Sequence, residues 1–310
     1  MAGYAFKRVL VGVFSVFVLA SAAFFLTRLM PGSPFETGNS LPLVQAEIER
    51  EYGLDKPLPE QYLQYLSNLL HGDLGISYKK PGVAVVDVIS RAFPVTCKIG
   101  GLAVLCSLAA GTALGIWQAV TKKAAVYNGI LFVTILGSGV LNFVWGSLFV
   151  WLFGVKWKLL PVVGADVWQG FLLPVATMAI YPTCVVTRLT RNGFKREMGE
   201  DYVVLARAKG LGEMRVLGVH VFKNACLPVL RYMGPAAAFL LTGSFVVESI
   251  FTIPGLGREF VNSIANRDYT LILGLTVFMG TIVIGLNLLT DLLCAWLSPA
   301  TRAGMTGAGK

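Results

Sequence analysis

Apolar residues in this chain come in long uncharged blocks, not at the regular intervals of a core-facing helix or strand. A helix of about 20 apolar residues crosses a hydrocarbon core of about 30 Å. Blocks that approach or reach this length cover residues 9–26, 99–120, 129–153, 167–187, 232–247 and 269–290. The pattern predicts an all-α integral membrane protein with six transmembrane helices, of which the fifth is the shortest.

The composition supports this class. Only 14% of the 310 residues are charged, against about 25% in an average soluble domain, and the mean hydropathy is +0.68. These values exclude a disordered chain and argue against an ordinary soluble domain. The net charge of +9 does not indicate nucleic-acid binding, because the basic residues lie between the apolar blocks, where membrane topology accounts for them.

The distribution of charge sets the orientation. If the amino terminus is cytoplasmic, the inner segments hold 15 basic and five acidic residues, whereas the outer segments hold 11 basic and 12 acidic residues. The positive-inside rule therefore predicts that both termini are cytoplasmic. Ala20-Ser21-Ala22 resembles a signal cleavage site, but the apolar run continues through Phe24, Phe25 and Leu26, so a retained transmembrane helix is the better interpretation.

This topology divides the chain into four parts. Residues 1–30 form the first transmembrane helix, and residues 31–94 form an external loop. Within that loop, the apolar spacing of residues 43–52 and the aromatic stripe around Tyr62 and Tyr65 predict short surface helices. A five-helix core follows at 95–300, and the Gly- and Ala-rich tail 301–310 is expected to be disordered.

The core includes a cytoplasmic loop, 188–231, that carries its own helical signals. Asp201 stands in the first turn of a predicted helix, where the helix dipole favours an acidic group, and Gly210 is suited to a helix end. Residues 213–222 predict a second short helix, and Leu227-Pro228 marks the entry into the fifth span. Small residues at the turn, Ala206, Ala208, Gly210 and Gly212, would let another protein's backbone approach closely. The alternative is an amphipathic segment held on anionic lipid by the loop's nine basic residues.

The order of residues in this loop resembles a known family. Its segments are Asp201-Tyr202-Val203, Ala206-Arg207-Ala208-Lys209-Gly210-Leu211-Gly212, His220, Lys223-Asn224-Ala225 and Leu227-Pro228. They are similar to the cytoplasmic loop of permease subunits of ATP-binding-cassette importers, in the oligopeptide, dipeptide and nickel group. Further segments similar to the first permease of that group are Tyr52-Gly53-Leu54-Asp55-Lys56-Pro57-Leu58, Gly72-Asp73-Leu74-Gly75-Ile76-Ser77, Glu248-Ser249-Ile250-Phe251, Ile253-Pro254-Gly255-Leu256-Gly257 and Asn287-Leu288-Leu289-Thr290-Asp291-Leu292.

The resemblance implies a coupling segment seated in a cytoplasmic ATPase. Its residues are Asp201, Tyr202, Ala206, Arg207, Ala208, Lys209, Gly210, Leu211, Gly212, His220, Asn224 and Pro228. Where the wider family often carries a glutamate this chain has Val204, so Arg207 and Lys209 are expected to supply the charge instead. The implied partners are a second homologous permease, two ATP-binding subunits and an external solute-binding protein, in a bacterial inner membrane.

Nothing in the sequence predicts an enzyme. Gly255-Leu256-Gly257-Arg258 has glycines but lacks the rest of a phosphate-binding loop, so ATP and magnesium are expected on the partner ATPases and no cofactor on this chain. The five cysteines form no CxxC or CxxH spacing, and the two histidines are far apart, so no metal site is expected. A serine or cysteine nucleophile paired with histidine on one predicted face is also lacking, which leaves an intramembrane hydrolase a weak alternative.

Helix-disrupting residues mark candidate functional positions inside the membrane. Pro174 and Pro182 in the fourth span and Gly137 and Gly139 in the third are candidates for kinks or for lining a path. Gly111 and Gly115 form a GxxxG pair, which predicts close helix packing within the chain or with a partner. Asp291, at the inner end of the last span, is expected to meet headgroup water.

The preferred hypothesis is a permease that moves oligopeptides or dipeptides by alternating access. The same mechanism serves import of nickel or another small solute, and a non-transporting membrane scaffold is the alternative from a different class. A secondary transporter would require intramembrane ionisable residues or inverted repeats, which the sequence does not show.

The orientation can be tested by labelling from each side of the membrane. Lys209→Cys and Lys79→Cys, each alone in a cysteine-free background, should react with an impermeant thiol reagent from opposite sides, because the charge asymmetry places them on opposite faces. Reaction of both cysteines from the same side would rule out the six-span topology.

Overall fold

The computed structural model describes residues 2–30, 55–80, 82–162 and 168–297, and in these ranges the chain is almost entirely helical. The long helices are α1 (Ala2–Arg28), α3 (Val85–Val120), α6 (Leu172–Glu197), α10 (Leu227–Thr242) and α13 (Tyr269–Leu297). Shorter helices are α2 (Leu58–Leu70), α4 (Ala124–Gly139), α5 (Asn142–Phe149), α7 (Asp201–Ala208), α8 (Glu213–Arg215), α9 (Phe222–Ala225), α11 (Phe245–Ile250) and α12 (Leu256–Ala265). Val150–Lys156 and Val216–Val221 are π-helical, and Trp168–Phe171 forms a 3₁₀ turn.

Five helical stretches of the described residues are long and apolar enough to cross a membrane, and a sixth arises if a bent pair counts as one span. The predicted single helix over 129–153 is this pair. Helix α4 ends at Gly139, the backbone is extended through Leu141, and the chain restarts as α5 at an angle of 102°. Glycine is a poor helix former, so the break falls at a residue of low helix propensity.

Two predicted boundaries are wrong, by about three turns and by less than two turns. Helix α3 begins at Val85 and continues through Pro94, so the last ten residues assigned to the external loop 31–94 are helical. At 1.5 Å per residue its 36 residues span about 54 Å, more than a hydrocarbon core needs. The fifth span begins earlier than 232, at Leu227, and α10 ends at Thr242. The predicted helix at 43–52 and the tail 301–310 lie outside the described residues.

Helices α3 and α6 pack closely, and the predicted glycine pair makes this contact. A Cβ atom at Gly111 would lie 2.7 Å from the Cβ of Val186, and one at Gly115 would lie 2.6 Å from the Cβ of Thr190. Real Cβ atoms do not approach so closely, so both positions require glycine for this spacing. The packing role expected for Gly111 and Gly115 is therefore fulfilled within this chain.

A buried carboxylate fixes α11 and α12 against α3. Glu248 is 2% exposed, and its carboxylate accepts hydrogen bonds from Thr96 Oγ1 at 3.0 Å and from the Arg258 backbone N–H at 2.8 Å. Thr96 Oγ1 in turn accepts from the Leu256 N–H at 2.9 Å. A Cβ atom at Gly255 would lie 2.5 Å from Glu248 Oε1. The segment from Glu248 to Gly257 thus folds around this carboxylate.

Helix α1 lies against α13 and is attached at both ends. Arg8 forms an ion pair with Asp291 at 2.7 Å, so Asp291 contacts a basic side chain and does not meet headgroup water alone. At the other end, Ser21 Oγ and Tyr62 OH lie 2.6 Å apart, which holds α2 beside α1. Helix α2 lies where the aromatic stripe predicted a surface helix.

Enlarging Gly111 should separate α3 from α6. We expect Gly111→Val to cost about 1–3 kcal/mol of stability, the usual range for overpacking, and to lower the melting temperature of the detergent-purified protein. Gly101→Val is the matched control, because it lies on the same helix and a Cβ there meets nothing within 4 Å. Equal melting temperatures for the two variants would contradict the close α3–α6 contact.

Candidate coupling site

The loop between α6 and α10 folds as a helix, a turn and a second helical segment, as its sequence predicts. Helix α7 is followed by a turn in which Gly210 has a φ of +76°. This left-handed conformation is readily available to glycine and strained for a β-branched residue. The second segment is longer than predicted, because α8 passes through the π-helical turn into α9 and ends at Ala225. We call residues 201–225 the coupling knob.

The coupling knob has its own apolar core, which joins it to the inner ends of two long helices. The buried residues of this core are Phe194, Val203, Ala206, Val216, Val221 and Ala225, and Ile116 and Ala119 of α3 pack against them. Ala206 is only 6% exposed, so the expectation that it lets a partner's backbone approach is wrong. Its small side chain instead allows α7 to pack on the rest of the knob.

A polar network also ties the knob to α6. The Tyr202 hydroxyl donates to Glu197 Oε2 at 2.8 Å and accepts from Asn224 Nδ2 at 3.3 Å, while the His220 carbonyl lies 3.4 Å from the same hydroxyl. Burial raises the pKa of the Tyr202 phenol, the hydrogen bond from Asn224 opposes this shift, and the neighbouring Glu197 carboxylate adds to it. The phenol therefore stays protonated and serves as a donor to Glu197.

Arg207 is paired within the knob. Its guanidinium lies 2.7 Å from Glu213 Oε1, which holds the start of α8 beside α7. The hydrogen bond from Arg207 lowers the pKa of the Glu213 carboxyl. Because the folded-state pKa is below the ordinary value of about 4.3, the pair is present at neutral pH and is lost only as the pH falls through the lowered value. Arg207 is thus not the free charge that the sequence suggested, whereas Lys209 remains exposed.

Large apolar side chains of the coupling knob are exposed alongside the charged residues Arg207, Lys209, Glu213 and Arg215. Val204 is 58% exposed, Leu205 56% and Met214 86%, and Ala208, Gly210 and Gly212 are also exposed. Reasoning from sequence did not single out Leu205 or Met214. A signal was present, because an eight-residue helix cannot bury the whole apolar run from Tyr202 to Ala206. Of the other predicted residues, Asp201 is exposed, and Leu211 and Pro228 are half-buried.

The membrane positions singled out by sequence differ in their surroundings. Pro174 is buried near the start of α6, and a Cβ atom at Gly137 would lie 2.6 Å from Cys184 Sγ. Gly139 ends α4, and nothing lies within 4 Å of a Cβ placed there. Of these four residues, Pro182 lines a cavity among the described residues, while Gly137 serves helix packing.

That cavity has a volume of about 270 Å³ and lies between α5, α6 and α10. Its wall is polar in places but, among the described residues that form it, carries no charged side chain; it includes Asn142, Tyr181, Pro182, Tyr232, Pro235 and Phe239. Prolines within α6 and α10 lack the N–H that would bond a carbonyl one turn earlier. Irregular backbone of this kind is tolerated at membrane depth where protein or a water-filled cavity surrounds it.

Residues 111–303 match the family described as binding-protein-dependent transport system inner membrane component, and residues 1–100 match the N-terminal family of the same membrane components. The chain is 36% identical over 311 residues to the dipeptide transport system permease protein of Bacillus subtilis, covering 99% of this chain and 100% of that protein. It is 37% identical over 308 residues to the oligopeptide transport system permease protein of Haemophilus influenzae, covering 97% of this chain and 100% of that protein.

Proposed function

Because the chain belongs to the family of binding-protein-dependent transport system inner membrane components, we propose that it is the membrane-spanning permease of an ATP-driven importer of oligopeptides or dipeptides. The family makes it a multi-pass inner-membrane protein and a transport component. The names of its relatives, which are dipeptide and oligopeptide permeases matched over nearly their whole length, support peptide cargo.

The main support for the proposal is the way in which the residues of the coupling knob are packed. Its interior is packed onto α3 and α6, whereas its outer face presents Val204, Leu205 and Met214. An apolar patch on a rigid cytoplasmic projection is suited to a protein partner. In this proposal the patch seats in a cytoplasmic ATPase, and movement of the ATPase displaces α3 and α6.

The proposed assembly contains further subunits. Two ATPase subunits require two coupling knobs, and this chain supplies one, so a second, similar but non-identical permease completes the conduit. The ATPases bind ATP and magnesium and carry out hydrolysis, and this chain has no catalytic role. An external solute-binding protein delivers the cargo and sets its identity.

The cavity at Pro182 is the proposed cargo-facing surface. Its hydroxyl and amide groups suit the peptide backbone, and a neutral wall accepts side chains of either charge. A path for nickel would be expected to offer imidazole, thiolate or carboxylate ligands, and none of the described wall residues supplies one. Peptide cargo is therefore favoured over nickel.

A charge in the apolar patch should uncouple transport. Met214→Glu places a carboxylate at the most exposed apolar position of the knob and should weaken ATPase binding at least five-fold, since loss of an interface anchor typically costs more than about 1 kcal/mol. Peptide uptake and binding-protein-stimulated ATP hydrolysis by reconstituted complexes report the loss. Met214→Leu keeps the surface apolar and should retain both activities.

The same experiment distinguishes whether the apolar patch contacts an ATPase or the lipid surface. If the patch lay on anionic lipid, Met214→Glu would lower membrane attachment of the loop but leave uptake and stimulated hydrolysis at the rates of Met214→Leu. That result would contradict the assignment of this surface to the ATPase.

The cargo-facing surface can be tested with single cysteines in a cysteine-free background. Phe239→Cys in the cavity wall should react with a water-soluble thiol reagent during ATP turnover, be protected by peptide cargo and lose uptake once modified. Phe132→Cys on α4 is the control, because Phe132 is similarly exposed, at 67% against 61%, and lies outside the cavity wall. Equal behaviour of the two cysteines would show that the cavity is not on the cargo path.

A further inference from the structure

A second cavity lies at the opposite end of the molecule from the coupling knob. It has a volume of about 300 Å³ and is bounded by the end of α1, by α2, by the segment after α2 and by the start of α13. The residues that matter to its chemistry are Phe24, Arg28, Gln64, Tyr65, Asn68 and Asp73. None of these belongs to the coupling knob or to the cavity at Pro182.

Two polar groups in this cavity are buried without a protein partner. In the part of the chain that the structure describes, neither Arg28 Nε nor the Tyr65 hydroxyl has a hydrogen-bond partner, although both atoms are removed from solvent. A buried donor without a partner is costly, and more so when it is charged. A water, an ion or a ligand group in this cavity would satisfy both atoms.

The charged side chains that line the cavity indicate what kind of ligand it can bind. Arg28 lies over the rings of Phe24 and Tyr269, at 5.2 and 5.8 Å from their centroids, and offers its guanidinium to an anionic group. Asp73, on the same cavity wall, is exposed, and one of its oxygens accepts from the Gly75 N–H at 2.8 Å. No ion pair among the described residues joins Arg28 to Asp73. A basic and an acidic group held apart in one cavity are complementary to a zwitterion.

The other polar residues of the cavity wall can bind the part of the zwitterion that lies between its two charges. Tyr65 stacks on Phe24 with ring centroids 5.4 Å apart, which fixes the direction of the phenol. Burial raises the pKa of Tyr65 to about 12, so its hydroxyl remains a donor at any physiological pH. Gln64 and Asn68 add amide donors and acceptors.

The position of the cavity indicates that its ligand comes from the membrane. Arg28 is the last residue of the lipid-length helix α1, where basic side chains meet headgroups. Large apolar side chains on other faces of this end of α1, Leu26 at 64% and Leu29 at 78% exposed, indicate that acyl chains contact the helix here.

We propose that this cavity binds the headgroup of a zwitterionic phospholipid, with the phosphate at Arg28 and Tyr65 and the ammonium group at Asp73. The ligand chemistry is a phosphate and an ammonium joined by a short linker, as in phosphatidylethanolamine. The proposal depends on the chain lying in a membrane and not on the cargo or the ATPase.

Lipid retention by the purified transporter complex tests the site. The complex is extracted in mild detergent, delipidated and supplied with phosphatidylethanolamine or phosphatidylglycerol, and bound lipid is counted by native mass spectrometry. Wild type should keep phosphatidylethanolamine in preference, and Arg28→Gln should reduce its retention about tenfold, the effect of losing about 1.4 kcal/mol. Arg91→Gln, at an exposed arginine of α3 outside the cavity wall, should not change retention.

Two further variants test separately how the phosphate and the ammonium group of the headgroup are recognised. Tyr65→Phe keeps the ring stacking and removes one donor, so it should fold normally and lower retention several-fold. Asp73→Asn should abolish the preference for phosphatidylethanolamine over phosphatidylglycerol, because only the former carries an ammonium group, while Asp87→Asn on α3 should leave the preference intact.

Three results would overturn the proposal. Equal retention in Arg28→Gln and Arg91→Gln would show annular lipid only. A preference unchanged by Asp73→Asn would exclude recognition of the ammonium group. Displacement of bound lipid by soluble trialanine, but not by O-phosphoethanolamine, would assign the cavity to a peptide zwitterion instead of a lipid.

Discussion

The close contact between α3 and α6 supports the rest of the structure. Gly111 and Gly115 let the two backbones approach to a distance that any side chain would prevent. In lipid no hydrophobic effect drives helices together, so association depends on such close van der Waals packing. The contact matters beyond its own length, because both helices continue past it into the elements that face the two sides of the membrane.

On one side, α3 and α6 hold the coupling knob. Ile116 and Ala119 at the end of α3 pack on the knob's core beside Phe194 of α6, and Glu197 anchors Tyr202. Toward its other end, α3 contributes Thr96 to the buried Glu248 carboxylate, which organises α11 and α12. The knob, the α3–α6 contact and the segment around Glu248 are therefore joined by packed helices and hydrogen-bonded turns, which deform little.

The sequence predicted the elements better than their contacts. Uncharged blocks are long-range signals, so the spans and the knob's helix–turn–helix were identified, with Gly210 at the turn. The break after Gly139 falls at a position that the sequence marked as a candidate kink, but its sharpness was not predicted because apolar residues on both sides of it read as one block. Ala206 was misassigned because α7 is apolar on more than one face, so only tertiary packing decides which face is buried. Two further findings involve residues whose spacing follows no helical period: Arg207 pairs with Glu213, and Arg28 and Asp73 line one cavity without pairing.

Two walls of the cavity at Pro182 end at irregular backbone, unlike the closely packed α3–α6 contact. Helix α10, which contributes Tyr232 and Phe239, ends at Thr242 and is followed by Gly243 with a φ of +95°, and α5, which contributes Asn142, begins at the 102° bend. Backbone rotation is least costly at such helix ends. The chain therefore joins a closely packed unit, formed by the knob with α3 and α6, to a cavity two of whose walls end in breaks. The packed unit resists deformation, whereas the walls formed by α5 and α10 lie next to irregular backbone.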